Sequence, residues 1–437
     1  MRRLSISTGL LLALIIATVE AADSELFPLP DTLRPAVAFW VRVYTEVDSN
    51  AGYIHDSRNL NIVYQALKFK TYSNPRQQKK EIEKAIQRYR TALKALAAGK
   101  RKGLNDDEKK VFELWGASAG SERLSTAAKD LRFQRGQADR LRSGVIHSGA
   151  WEKEILETLS NTGLPHELAV IPHIESSYNP KVRSPAGAVG LWQFTRRTGT
   201  KFLQIDHVVD ERLDPLRSTE AAAALLKQYY EALNSWPLAI TAYNSGVSRV
   251  RRAVRETGTE DIGVIVQKYR GRRFGFASRN FYAAFLAVAD IAKNTKSYLG
   301  TVKRSGPEDY HLAEIPAFME AKVVAESLSV DEEVLKQLNP ALQYSVWNGS
   351  KHIPKGYFLK LPSDQRMADV RTQLARLAAT QGYKAQIPDT FYKVKSGDTL
   401  SAIALRYRIS VRELVRLNNL QSRHRIRVGQ SLRLPQG

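Results

Sequence analysis

The sequence predicts a mainly α-helical chain of several domains, closed by two small α+β units. Three observations carry this. The chain has 437 residues, more than one ordinary domain, and 43% of them are hydrophobic, enough to fill real cores. Between 146 and 300 the apolar residues recur at helical spacing. Beyond 310 two segments resemble each other in order. Val324 to Asn339 parallels Ile403 to Asn418, and Ile353 to Pro362 parallels Ile426 to Pro435. Two short strands around two helices suit both.

Taking the chain from its start, Arg2 and Arg3 precede an unbroken apolar run, Leu10 to Ala17, and Val19-Glu20-Ala21 offers a small-residue cleavage site. Residues 1–21 therefore read as a secretory signal peptide, because the run falls short of the roughly 20 apolar residues a membrane span needs. The mature chain is expected to be exported to the periplasm or cell envelope, with no integral span. There is no cysteine. That excludes disulfides, thiolate metal sites, a cysteine nucleophile and a lipid-modified N-terminal cysteine, so a lipoprotein is not expected. The formal charge is +22, and loss of a leader holding Arg2, Arg3 and Glu20 leaves +21. Such a charge attracts any polyanion: nucleic acid, anionic wall polymer or lipid headgroups. Charge alone does not choose among them, but an exported protein rarely meets nucleic acid, and none is expected as a partner. No residue set implies a metal or another cofactor.

Residues 22–145 read as a helical N-terminal region, a cap or spacer without a chemical motif. Ile62, Ala66 and Phe69 recur at helical spacing, and Lys79 to Arg90 mixes both charge signs as a solvated helix face does. From 146 to 300 the chain reads as one all-helical domain. Ile155, Leu156 and Leu159 make a helix face that Gly163 terminates. A helix from His166 to about Ser177 is apolar almost all round. Ser218 reads as the N-cap of a helix carrying Ala222, Leu225, Leu226, Tyr229 and Leu233, and Phe281 to Ala292 is a further apolar helix.

Glu175 is the most informative residue. It follows Ile171 by four positions and Leu168 by seven, so it shares their side of the helix. A carboxylate on a buried face is either a satisfied structural group or a functional one. Pro172 interrupts the ladder about one turn earlier, and Asn179-Pro180 ends the helix. A turn at Ser184-Pro185-Ala186-Gly187 follows, then Gly190-Leu191-Trp192-Gln193-Phe194, and much later Ala242-Tyr243-Asn244-Ser245-Gly246. An acid near a helix end, facing a Gly-rich connection with aromatic and amide side chains, suits a sugar cleft. Each of these side chains taken singly also suits a core or a turn.

The stretch Glu175 to Phe194, ESSYNPKVRSPAGAVGLWQF, resembles the core signature of the SLT-type lytic transglycosylases. AYNSG, Ala242 to Gly246, resembles their second motif, and FGFASRNFY, Phe274 to Tyr282, their third. With the C-terminal module described next, the pattern looks most like the membrane-bound lytic transglycosylase D group. The resemblance covers roughly 160 to 295. It implies a lysozyme-like helical catalytic domain, and cleavage of the β-1,4 bond between N-acetylmuramic acid and N-acetylglucosamine without water, leaving 1,6-anhydromuramoyl ends. Carried over by position, Glu175 is the catalytic acid and then base. Ser184, Gln193, Tyr243, Asn244 and Tyr282 are substrate-binding. Many members carry methionine where Trp192 stands, and the group's namesake is a lipoprotein, which this cysteine-free chain does not match.

Residues 391–436 resemble a LysM domain through Ser396-Gly397-Asp398-Thr399-Leu400, Ile403-Ala404, Leu417-Asn418 and Val428-Gly429-Gln430. That implies a βααβ fold binding N-acetylglucosamine-containing polymer. Residues 391–437 hold ten Lys or Arg against Asp398 and Glu413, a surface suited to an anionic wall. The segment 311–362 reads as a degenerate copy, with Phe318-Met319-Glu320-Ala321 in place of the turn, and 365–390 as the link between the two. Two other functions compete: a lysozyme-type hydrolase of the same fold, marked by a second cleft carboxylate, and an inert wall-binding scaffold, against which an intact Glu175 argues.

Overall fold

The computed structural model describes residues 25–70, 74–418, 420 and 426–434. The leader expected at 1–21, and Pro435 of the terminal motif, lie outside the described residues. The fold is mainly α, with short strands in three small antiparallel sheets. Contacts group the chain into two compact units, residues up to Gly136 with Leu233–Asn294, and Gln137–Ala232 with the residues from Thr295 on. No helix among the described residues is long and apolar enough to cross a membrane.

In the first unit, Asn74 with Gln77 and Asn105 with Glu108 form reciprocal capping boxes that start helices Pro75–Ala97 and Asp106–Trp115. These helices pack Tyr89, Leu93, Leu96 and Val111 over a three-stranded sheet. Its central strand is Ala51–Asp56, flanked by Val63–Lys68 and Leu131–Arg135. The helical reading of this region missed that sheet. Ile62 and Ala66 are four apart, a spacing shared by the helical and the strand period, and Tyr64, buried between them, marks the strand. Helix Arg34–Thr45 packs on Phe276–Lys293, and Phe27 lies against the rings of Trp236 and Phe285 at 6.0 and 5.2 Å.

In the second unit, helix Glu152–Asn161 ends as expected, with Gly163 at φ 68°. The expected helix from His166 is two pieces, a 3-10 turn His166–Val170 and a short α-helix Ile171–Ser176. Pro172 sits in the first turn of the α segment, where its missing N–H costs nothing, so it starts this helix and does not break it. Ser218 is not an N-cap. The helix runs Pro215–Leu233, Asp214 accepts from the Arg217 amide at its start, and the Ser218 hydroxyl donates back to the Asp214 carbonyl.

The two C-terminal segments share one architecture. Strands Tyr310–Glu314 and Phe358–Pro362 pair around helices Ala321–Ser327 and Glu332–Leu338, with an added turn Tyr344–Trp347. Thr390–Lys393 and Ser431–Leu434 pair around Leu400–Arg406 and Val411–Leu417. Asn339 donates to the carbonyls of Leu335 and Lys360 and accepts from the Lys360 amide. Asn418 does the same with Leu414 and Arg433. Ser329 and Arg408, at matching positions, both have φ near 52°.

The stretch 365–390 is not slack. Helix Met367–Gln381 buries Val370, Leu374 and Leu377 in the core of the first module, where Val208 and Val209 also lie. Val209 bridges to Leu342, and the Gln343 amide donates to the Val208 carbonyl at 2.9 Å. Asp389 then pairs with Lys351 at 2.9 Å and Arg433 at 3.0 Å, and lies 3.0 Å from the His207 ring, whose charged form burial disfavours.

Candidate active site

Glu175 lies one residue before the end of Ile171–Ser176. The chain leaves that helix through Ser177 and Tyr178, both at φ 54°, a left-handed conformation non-glycine residues seldom adopt. Surrounding bonds impose it. The buried Tyr178 hydroxyl donates to the Ala169 carbonyl, and the Ser176 hydroxyl donates to Leu191 O at 2.7 Å, tying the Glu175 helix to the Gly190–Phe194 segment. His173, on the same helix, is buried against the Tyr178 ring at 4.4 Å, and burial pushes it down to about 3, so it stays neutral. Glu175 keeps part of its surface accessible. Burial of its carboxyl, with no compensating cation, pushes it up to about 7.

The signature loop is a braced turn. The Ser184 amide donates to the Ala188 carbonyl at 2.8 Å, and the Ala188 amide donates to Ser184 Oγ at 3.0 Å, which leaves the hydroxyl hydrogen available. Gln193, at φ 51°, donates through Nε2 to the carbonyls of Gly190 and Val182, and its Oε1 remains as an acceptor. Trp192 is fully buried, and its indole N–H donates to Thr219 Oγ1 at 2.9 Å. That is a core position.

Sequence reasoning missed Arg212, which holds this loop. It is buried, pairs bidentately with Asp210 at 2.8 Å for each bond, and donates through Nη1 to Gly187 O and Phe194 O at 3.2 Å. Its own carbonyl lies so close to Gly190 that a Cβ there would meet it at 1.7 Å; glycine is obligatory at this φ of 84°. Asp210 in turn donates its amide to Ala341 O of the first C-terminal module, and Lys360 of that module pairs with Asp214 at 3.2 Å in a buried site. The spacing of Asp210, Arg212 and Asp214 carries no sign of these partners, because Gly187, Phe194 and Lys360 are remote in sequence.

Asp206, Asp210 and Asp214 are thereby each committed to structure. Asp206 accepts from the amides of Val208 and Val209. Glu175, Ser184 and Gln193 belong to one compact unit, and Tyr243, Asn244 and Tyr282 to the other. Asn244 is exposed at the end of helix Trp236–Ser245 and accepts from Ser278 Oγ at 3.2 Å; Tyr243 beside it is half-buried. Tyr282 is buried in Phe276–Lys293 and donates its hydroxyl to Pro28 O at 2.8 Å.

Comparison with known proteins agrees with the motifs. The transglycosylase SLT domain family matches residues 155–266, and the LysM domain family matches 392–435. The chain is 29% identical over 289 residues to the membrane-bound lytic murein transglycosylase D of Escherichia coli strain K12, covering 63% of this chain and 61% of that protein. It therefore spans less than two thirds of that relative's length. It is 36% identical over 83 residues to a soluble lytic murein transglycosylase of Salmonella typhimurium, 18% of this chain and 13% of that one. A solved lytic transglycosylase Slt from Pseudomonas aeruginosa aligns at 19% identity over 51% of this chain and 38% of that one, with a low TM-score of 0.30. By its motifs and by both family matches, the chain carries a transglycosylase SLT domain, followed by a LysM domain.

Proposed function

We propose that the protein is a peptidoglycan lytic transglycosylase that cleaves the β-1,4 bond between N-acetylmuramic acid and N-acetylglucosamine. The observation that carries this is the carboxyl of Glu175, pushed up to about 7 inside an SLT signature. At that value about half of it carries the proton at neutral pH, enough to donate to the departing glycosidic oxygen. The substrate's 2-acetamido group assists at the anomeric carbon as the bond breaks. Glu175, now a carboxylate, takes the proton from the muramic acid 6-hydroxyl as that oxygen closes the 1,6-anhydro ring. No water is consumed, and Glu175 ends as it began.

A water-using glycosidase needs a second carboxylate as nucleophile or base. The commitment of Asp206, Asp210 and Asp214 elsewhere favours the transglycosylase over that hydrolase. In this reading Ser184 donates to a substrate oxygen, Gln193 accepts through Oε1, and Tyr243 and Asn244 add contacts from the second motif, while Tyr282, expected from sequence to bind substrate, is buried with its hydroxyl on Pro28 O and supports the third motif from within. The catalytic domain is 146–300, with 22–145 as its N-terminal region. Residues 391–436 hold N-acetylglucosamine-containing polymer, and 311–362 keeps the module's fold. Arg2, Arg3 and the apolar run support a cleaved leader and work in the periplasm or envelope. Glu175→Gln tests the assignment: muropeptide release should fall about 10²–10⁴-fold with the fold intact. Near-normal release would refute it.

A further inference from the structure

A groove of about 710 Å³ opens beside the Ser184 turn. Arg183, Ser184 and Arg197 line one side, and Tyr344 and Asn348 of the first C-terminal module line another, with Arg416 of the second. Cations from two remote stretches of sequence, 183–197 and 416, thus meet in one depression. The ion pairs of this unit leave Arg183, Arg197 and Arg416 without a carboxylate among the described residues. The two acids bordering the groove are already engaged, Asp206 by backbone amides and Glu413 by the Asn348 amide at 3.3 Å. Arg416 lies over the Tyr344 ring at 5.2 Å, and that ring is 43% exposed. Burial holds the Arg183 guanidinium below its ordinary range; Asp210 opposes this, and Arg212 and Arg416 reinforce it. Crowded guanidinium groups beside an exposed ring, without their own anions, are matched to an incoming carboxylate.

We propose that this groove binds the carboxylates of the short peptides carried by the glycan strand, so that the second C-terminal module forms part of the substrate path beside Ser184. The proposal rests on the reading of Glu175 as the glycan-cleaving acid. Uncharged sugar has no demand for three guanidinium groups, whereas a peptide ending in a carboxylate takes one or two of them bidentately. A strand with its sugars at Glu175 and its peptides in the groove is read at both places.

The test uses full-length Glu175→Gln protein, which binds without cutting. It is titrated with soluble strands bearing peptides and with the same strands stripped of peptide by an amidase and re-amidated at the lactyl carboxyl that this frees, alone and with Arg183→Gln or Arg416→Gln added. Peptide-bearing strands should bind about three- to ten-fold more weakly to each arginine variant, the range for exposed charge-assisted contacts. Stripped strands should bind all the proteins alike. Equal binding of peptide-bearing strands by every protein, or the same loss for stripped strands, would overturn the proposal. So would polyphosphate of matched charge competing as well as the free peptide, which would mark a general polyanion surface. Because the two variants lie in different segments, misfolding of the small module does not mimic the result. Cleavage of intact peptide-bearing sacculi by the unsubstituted enzyme is followed separately; its absence would overturn the reading of Glu175 without bearing on the arginines.

Discussion

Glu175 joins chemistry to stability, and the signs can be worked out. Its carboxyl is pushed up to about 7 from an ordinary value of 4.5. Below 4.5 it is protonated whether the chain is folded or not, and nothing is lost. As pH rises toward 7 the unfolded chain releases its proton while the folded one keeps it, so stability falls; above 7 the full cost stands. That cost is about 2–3 kcal/mol after allowance for the accessible part of the side chain. Glu175→Gln should therefore melt higher than the unsubstituted protein at pH 8 and at the same temperature at pH 4, by calorimetry. With the unsubstituted protein, kcat/KM should decline above about pH 7, as the acid form that begins the reaction disappears. The importance of Glu175 was legible in the sequence, because a carboxylate among Leu168, Ile171 and Ile174 needs a reason. The left-handed pair Ser177 and Tyr178 was not legible, since neither is a residue type that announces positive φ. Nor was the core role of Trp192, whose partner Thr219 is 27 positions away.

At the scale of elements, helices with strong periodicity and clear stops could be placed from sequence, and Glu152–Asn161 with Gly163 is the clearest case. What failed was punctuation with two readings. Pro172 starts a helix here, and Ser218 sits inside one because Pro215 and Asp214 make the better beginning. The internal repeat was legible because Asn339 and Asn418 do the same work, each joining the end of a helix to the closing strand through three hydrogen bonds. Asn339→Ala, at a fully buried site, should cost about 1–3 kcal/mol, the penalty for leaving buried backbone groups unpaired. Asn418→Ala, half-buried, should cost less and should loosen only its own module, as hydrogen exchange would report. The clamp on the signature loop is more severe. Arg212→Met leaves Asp210 as an unpaired buried carboxylate, and removing one partner of a buried ion pair costs about 3–5 kcal/mol. Its melting temperature should drop sharply, and residual activity at low temperature should be impaired in kcat as Ser184 and Gln193 lose their support.

For the whole molecule, the sequence suggested a LysM module joined through a link at 365–390. The ion pairs at Asp389 make that link a joint. Cutting the chain at Pro388 removes Asp389 and strands Lys351, whose side chain is 6% exposed. Cutting after Thr390 removes the module and keeps the pair. The longer truncation should be more stable by about 1–3 kcal/mol, less than the value for a deeply buried pair because Asp389 is itself partly exposed. Either should still cut short soluble strands, while sacculus binding should weaken and lose part of its salt dependence. Such couplings are invisible in a single sequence: Asp389, Lys351 and His207 are ordinary surface-type residues until the chain brings them together.

Glu175 is proposed to work alone and without water, and the identity of the reaction products decides it. Purified sacculi digested by the protein in isotopically labelled water and examined by mass spectrometry should give 1,6-anhydromuropeptides, lighter than their reducing counterparts by one water and free of label. Muropeptides with reducing muramic acid ends carrying the labelled oxygen would contradict it, and would mean that a second group activates water at this site.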